Sequence, residues 1–177
     1  MDYKNIQNPN GSDPVISRRS IRKYTNRAIP EEVISSLLRA AMAAPSADDE
    51  RPWHFIVISD RAILQRIPSV HPFSDALTTA ACAILVCGDE SLQKIQGFWI
   101  QDCAAATENI LIEAQVQKLG AVWLGIFPFE GRVEGFRNLL RIPDGIVPFS
   151  LVPLGYPDEH KEPSERYDTS RIHLENW

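Results

Sequence analysis

Hydrophobic positions along this chain come in two spacings, helical repeats and unbroken apolar runs, and the two alternate. Val33, Leu37, Leu38 and Ala41 recur every three to four residues after Pro30-Glu31-Glu32, where a proline and two acids suit the positive end of a helix dipole. That predicts a helix from Pro30, closed by Pro45. Trp53-His54-Phe55-Ile56-Val57-Ile58, bounded by Pro52 and Ser59-Asp60, predicts a buried strand, and Asp60 is placed to cap a short helix ending at Pro68. Ala83-Ile84-Leu85-Val86-Cys87 is continuous and stops at Gly88, the pattern of a strand covered on both faces. The longest helical stretch spans 98–118. Cys103, Ala106, Ile110 and Ala114 form one stripe, and Ile100, Ala104, Thr107, Leu111 and Leu119 widen it. So broad an arc of small residues predicts burial on several sides, one of them a dimer interface. After Gly120, Ala121–Ile126 predicts another strand, and Val133, Phe136, Leu139 and Leu140 a further amphipathic helix. Ile146–Leu154 is the last strand, placed by Pro148 and Pro153 at an edge or a bulge.

The two ends read differently. Residues 5–13 are turn-rich and predict a loose lead-in, followed by a first helix over about 14–23. Beyond Gly155-Tyr156-Pro157 the chain is charged and aperiodic, yet it finishes on Ile172-His173-Leu174-Glu175-Asn176-Trp177, so this tail has apolar surface to bury. No repeat or linker interrupts the chain, which predicts a single domain over 1–177 with 156–177 as a tail.

Composition narrows the function classes. A chain of 177 residues supports one sizeable core, and a formal net charge of -5 argues against nucleic-acid binding, where basic surface should dominate. Cys82, Cys87 and Cys103 are odd in number and lack Cys-x-x-Cys spacing, and the four histidines are scattered, so neither a disulfide framework nor a metal site is expected. No apolar run reaches membrane-spanning length and no secretory leader is visible, which predicts a cytoplasmic protein without a membrane partner. Dinucleotide, phosphate-loop and hydrolase fingerprints are all missing from the sequence, so an enzyme here would rest its chemistry on a bound cofactor, with no catalytic side chain singled out.

Two stretches carry candidate chemistry. Ser17-Arg18-Arg19-Ser20-Ile21-Arg22-Lys23 is an anion-binding kit, because guanidinium forks and a hydroxyl make charge-assisted hydrogen bonds to a phosphate monoester. On a helix from Pro14, Arg18 and Arg22 would share one face. A solvated basic helix face is the plain alternative. The second stretch, Ala43–Phe55, runs from a helix end through a polar loop to a strand start, and its Ser46 and Asp49 are suited to hydrogen-bond a polar ring edge. Pro45 and Pro52 as mere loop punctuation is the plain alternative there.

Taken in order, Arg18-Arg19-Ser20-Ile21-Arg22 with Tyr24, Ala44-Pro45-Ser46, Pro52-Trp53-His54-Phe55, the helix around Asp102–Leu111, Leu119–Ile126 and Gly155-Tyr156-Pro157 resemble the nitroreductase family of flavoproteins along nearly the whole chain. The resemblance implies an α+β fold with a mixed central sheet flanked by helices, an obligate homodimer, and FMN bound at the dimer interface. It implies that Arg18 and Arg22 hold the cofactor's phosphate and nearby oxygens, assisted by Arg19 and Ser20. Ser46 and Asp49 would approach the ring edge from the partner subunit, Leu124 and Gly125 would present backbone near the reactive nitrogen, and Arg166 would return from the tail to the phosphate. The implied reaction is ping-pong transfer from NADH or NADPH to flavin and on to a nitroaromatic, quinone or related small-molecule acceptor. A non-catalytic flavin module, or other flavin chemistry on the same fold, stays open. Two positions depart from the family pattern: Asp49 stands where Asn is usual, and Arg51 where Gln is usual.

Overall fold

Strand β2 (Cys82–Asp89) is apolar at every position through Cys87, and the computed structural model, which describes residues 13–162 and 164–177, covers both of its faces. β1 (Trp53–Ile58) pairs along one side, from Trp53 opposite Gly88 to Ile58 opposite Ala83. β5 (Ile146–Gly155) pairs along the other, and its far edge meets two short strands, β3 (Gly120–Ala121) and β4 (Leu124–Gly125). All four ladders are antiparallel. The expected mixed sheet is therefore corrected to an antiparallel one, with a single isolated parallel bridge, Ser20 to Ala121, among the described residues.

Alternation along β2 sends Cys82, Ile84 and Val86 to one face and Ala83, Leu85 and Cys87 to the other. Helices α2 (Glu31–Met42) and α4 (Trp99–Val116) cover the first face through Leu37, Ala41, Cys103, Ala106 and Ile110. Helices α3 (Arg61–Arg66) and α5 (Glu130–Leu140) cover the second through Leu64 and Phe136. Each fully buried Leu, Ile or Phe in these layers contributes about 1.5–3 kcal/mol. Asp60 caps α3 as expected, its carboxylate accepting from the Ala62 and Ile63 amides. No described helix is long and apolar enough to cross a membrane.

Of the two places expected for β5, the edge is wrong and the bulge is right: the strand is central, and the register slips between Val86 and Cys87, leaving Phe149 as the extra residue of a bulge. Two further expectations are corrected. Pro153 lies opposite the gap between β3 and β4, so its missing N–H falls where the neighbouring strand is not paired. The strand expected over 121–126 is accordingly split in two at that gap. The first helix is only one turn, α1 (Pro14–Ser17), capped by Asp13, and Arg18 is already extended at φ -56, ψ 134. The expected lead-in over 5–13 lies, but for Asp13, outside the described residues.

The reason α1 stops is tertiary. Ile21 and Tyr24 are buried, and each packs onto a glycine of the sheet. A Cβ on Gly120 would lie 2.6 Å from Ile21, and one on Gly155 would lie 2.6 Å from Tyr24. The Ile21 amide donates to Ala121 O at 2.9 Å, and Tyr24 bridges Pro157. Residues 18–24 are thus an extended strap along the sheet edge.

Candidate functional site

The strap turns the basic residues in different directions, so Arg18 and Arg22 do not share a helix face as expected. Arg18 reaches α4, where its Nε lies 3.3 Å from Glu108 Oε1. Arg19 is stapled to backbone: Nε donates to Glu162 O at 3.0 Å, and Nη1 donates to Ile16 O at 2.9 Å and to Arg18 O at 2.5 Å. Arg22 is exposed, and its amide donates to Glu159 Oε1 at 2.5 Å. Lys161 joins them, with Nζ donating to Ser20 O at 2.6 Å and pairing with Glu159 at 3.2 Å. A groove of about 660 Å³ opens alongside, with Arg22, Lys23, Phe73, Asp158, Glu159 and Lys161 among its lining.

Two nitrogens of this cluster are informative. Arg18 Nε and Arg19 Nη2 are buried, and neither has a well-aligned hydrogen-bond partner among the described residues. Arg18 Nε has the Glu108 carboxylate at 3.3 Å as a poorly aligned ion-pair partner, whereas Arg19 Nη2 has no acceptor among the described residues. A buried guanidinium N–H without an acceptor is costly, so that donor is a place for an anion.

The loop after α2 is the second part. Ser46 Oγ accepts the Arg51 amide at 3.1 Å, closing a short turn over Ala47–Asp49. Asp48, Asp49 and Arg51 take φ of 47°, 54° and 45°, a left-handed backbone uncommon for residues with a Cβ. Asp49 and Arg51 form a two-pronged ion pair on the surface, Nε to Oδ1 at 2.6 Å and Nη2 to Oδ2 at 2.7 Å. The Arg51 hydrogen bond holds the Asp49 carboxyl below the usual carboxylate range. From beneath, the Ala47 amide donates to Asp102 Oδ1 on α4 at 3.0 Å.

β4 is the third part. Leu124 is buried and opposes Leu151; Gly125 is half-buried and opposes Ser150. Space is open on the side of Gly125 where a Cβ would stand. Its carbonyl is held by two donors, His71 Nε2 at 3.0 Å and Arg132 Nη1 at 2.7 Å. His71 is only 2% exposed, and its Nδ1 accepts the Phe73 amide at 3.3 Å, which assigns the proton to Nε2. Burial lowers the His71 pKa, the nearby Arg132 charge adds to this, and the bond to Gly125 opposes it. Arg132 is flanked by two exposed aromatics, 4.1 Å from the Phe129 ring centre and 5.6 Å from that of Phe73.

Of the residues singled out in the sequence, Arg18, Arg19, Ser20 and Arg22 lie on a strap joined to β3 by the Ser20–Ala121 bridge, while Leu124 and Gly125 lie on β4, which pairs farther along the same edge of β5. Ser46 and Asp49 belong to a loop fastened near the start of α4, about 9 Å along the helix from Glu108, which Arg18 meets. Arg166 is exposed, and among the described residues its Nε bonds to the nearby Ser164 Oγ alone, at 3.0 Å, with no bond to the strap; Lys161 is the tail cation that makes one. Lys161, His71, Arg132, Glu50 and Asp102 were not singled out by the sequence. Lys161 sits in the charged tail and could have been flagged by its neighbour Glu159. The others have no local motif, since their partners lie 44 to 55 residues away, apart from Arg132, whose contact with Gly125 spans seven residues. Among the described residues no group of three or more His, Cys, Asp or Glu is placed to hold a metal.

Known proteins offer an independent comparison. A family model described as "Nitroreductase family" matches residues 15–77 and 68–156. A Methanothermobacter thermautotrophicus protein provisionally named NADH dehydrogenase/NAD(P)H nitroreductase is 53% identical over 165 residues, covering 93% of this chain and 86% of its own. A crystal structure from Clostridium acetobutylicum, provisionally named an NADH oxidase, superposes with a TM-score of 0.91 at 42% identity, covering 93% and 100% of the two chains. An FMN-dependent nitroreductase from Clostridium difficile R20291 superposes at 0.87 with 26% identity over 93% and 99%.

Proposed function

The chain belongs to the nitroreductase family, and from that premise we propose that it is an FMN-dependent oxidoreductase that takes reducing equivalents from NADH or NADPH and passes them to a small-molecule acceptor such as a nitroaromatic or quinone. The observation that carries the cofactor reading is the buried Arg19 Nη2, which receives no hydrogen-bond acceptor among the described residues, on a strap that also bears Ser20, Arg22 and an Arg18 whose buried Nε meets only the Glu108 carboxylate, at 3.3 Å and poorly aligned. These donors fit a phosphate, whose oxygens accept several charge-assisted hydrogen bonds at once. Lys161 adds a cation from the tail in place of Arg166 as it is placed here, and Arg166 approaches only if the tail rearranges in a dimer.

Bound flavin supplies the hydride chemistry, and the protein's share is placement and electrostatics. Gly125 leaves its outer face open, so a planar ring can lie against the backbone of β4 without meeting a side chain. His71 and Arg132 fix that backbone through the Gly125 carbonyl. Behind β4, Thr107 and Ser150 share a buried hydroxyl bond at 2.8 Å, tying α4 to β5 at the register of Gly125. Ser46 and the Asp49–Arg51 pair approach the ring edge from a second subunit. In this reading the protein is a homodimer, and the exposed apolar tail end, including Ile172, Leu174 and Trp177, packs on the partner.

The test is optical. Purified protein loaded with FMN shows oxidised-flavin absorbance, loses it when NADH or NADPH is added without air, and regains it with a quinone or nitroaromatic. Flavin that binds but is not bleached by either nucleotide would make the protein a flavin-binding module.

A further inference from the structure

Two carboxyl groups lie buried under the 46–51 loop, and among the described residues no cation pairs with either. Glu50 is 7% exposed and Asp102 is 4% exposed. Each has one satisfied oxygen: Glu50 Oε2 accepts the Lys94 amide at 2.7 Å and the Ile95 amide at 3.2 Å, and Asp102 Oδ1 accepts the Ala47 amide. The other oxygens, Glu50 Oε1 and Asp102 Oδ2, are buried and receive no hydrogen bond from any donor among the described residues. The two carboxyls meet at Ala47, whose carbonyl accepts the Glu50 amide at 2.9 Å and whose amide donates to Asp102 Oδ1 at 3.0 Å, and each shifts the other's titration.

The Lys94 charge acts on Glu50 from a distance, but neither it nor Arg51 pairs with either carboxyl. The Lys94 ammonium donates to Asp48 O at 2.6 Å and lies 3.5 Å from the Asp48 carboxylate, and Arg51 is engaged by Asp49. Two ionised carboxylates in contact and out of water repel strongly, and the usual resolution is one proton held between them. The backbone donors decide which carboxyl stays charged. Glu50 receives two amides and Asp102 one, so the proton belongs on Asp102.

We propose that Asp102 is protonated and donates to Glu50 Oε1, and that this shared proton positions the loop carrying Ser46 and Asp49. The loop's own backbone is three times left-handed and needs support from outside. The Asp102–Glu50 bond supplies it by linking α4, the loop and the Lys94–Ile95 turn. Its consequence for FMN rests on the function proposed above; the proton itself does not.

The electrostatics run in the same direction. Burial raises Asp102, the Ala47 amide opposes this, and the Glu50 charge raises it again; Glu50, despite its own burial, is lowered by the Lys94 and Ile95 amides, by Asp102 and by the Lys94 charge. For a raised acid the stabilisation is complete below the ordinary carboxylate range, about 3.9, and is lost as pH rises through the folded value. Loop attachment should therefore weaken on the alkaline side.

Asp102→Asn tests this, because an asparagine keeps an acceptor for Ala47 and gives Glu50 a permanent donor. The infrared spectrum of wild type at neutral pH should show a protonated carboxyl that Asp102→Asn lacks. With rising pH, wild-type melting temperature and FMN affinity should both fall, affinity by roughly tenfold, about one hydrogen bond's worth, while Asp102→Asn stays flat in both. Asp102→Ala should lose FMN affinity at every pH. The proposal is overturned if wild type shows only carboxylate bands, if Asp102→Asn keeps the wild-type pH profile, or if added Na+, K+ or Mg2+ abolishes the alkaline loss, which would assign a cation to the pair. A flattened melting profile with unchanged FMN affinity would overturn the role in positioning the cofactor loop. If FMN binds to no form at all, it is the proposed function that fails, and the infrared and melting results decide the proton independently.

Discussion

At the scale of residues, opposite charges two positions apart have replaced the neutral pair usual in the resembled family, and the structure joins them: Asp49 and Arg51 make a two-pronged surface ion pair. An exposed pair of this kind does little for stability. Its leverage is on a charge developing nearby, since an unpaired carboxylate beside reduced flavin would oppose negative charge and an unpaired guanidinium would favour it. Asp49→Asn is expected to raise the flavin reduction potential, Arg51→Gln to lower it, and the double variant to fall near wild type; anaerobic dye titration reads all three. His71 gives a second residue-level expectation. Buried, next to Arg132, and hydrogen-bonded as a neutral donor to Gly125, it should titrate below the ordinary histidine value of about 6.5 in an NMR experiment. Because its folded pKa is depressed, its contribution is present above that value and is lost as pH falls below it. His71→Asn should remove that acid-side limb of the melting profile and loosen β4.

At the scale of elements, one close contact carries a clear expectation. Trp99 packs on Gly88 so tightly that a Cβ there would lie 2.3 Å from the indole, which also meets the Phe127 and Phe149 rings at 5.0 and 6.1 Å. Gly88→Ala should cost about 1–3 kcal/mol by overpacking, measured by denaturant unfolding. β1, β2, α2 and α4 were legible from the sequence because each satisfies its own periodicity and is bounded by its own proline, glycine or acid. The strap was not. Ile21 and Tyr24 are three residues apart, the spacing of a helix face, and only their docking on Gly120 and Gly155, about 100 and 130 positions away, makes the chain extended. For β5, Pro148 and Pro153 left an edge and a bulge both open; the strand is central, with Pro148 beside the bulge and Pro153 beside the break in the adjoining strand. The candidate site was half legible for the same reason. Its basic strap and polar loop are contiguous in sequence, whereas Glu50 with Asp102 and His71 with Gly125 exist only once distant segments meet.

At the scale of the whole molecule, the tail is the unsatisfied element. Tyr156–Asp158 is fixed to the strap, through the Thr25 amide to Tyr156 O and the Asp158 amide to Lys23 O, both at 2.9 Å. Farther on, Ile172 and Leu174 are exposed and Trp177 is 98% exposed, stacked on His173. Such surface in an isolated chain is suited to a second copy. Light scattering should give about twice 19.9 kDa, and truncation after Pro157 should weaken both association and FMN retention. A flavin-loaded monomer would refute the interface site. The central claim, that the Arg18–Arg22 strap holds the phosphate of FMN, is tested most directly by titrating apoprotein with FMN and with riboflavin, which lacks the phosphate. Losing one charge-assisted contact costs about 1.5–3 kcal/mol, or roughly one to two decades in affinity. Wild type should therefore prefer FMN by at least that much, and Arg18→Ala should lose one to two decades for FMN with little change for riboflavin. Equal binding of the two flavins by wild type would contradict the account.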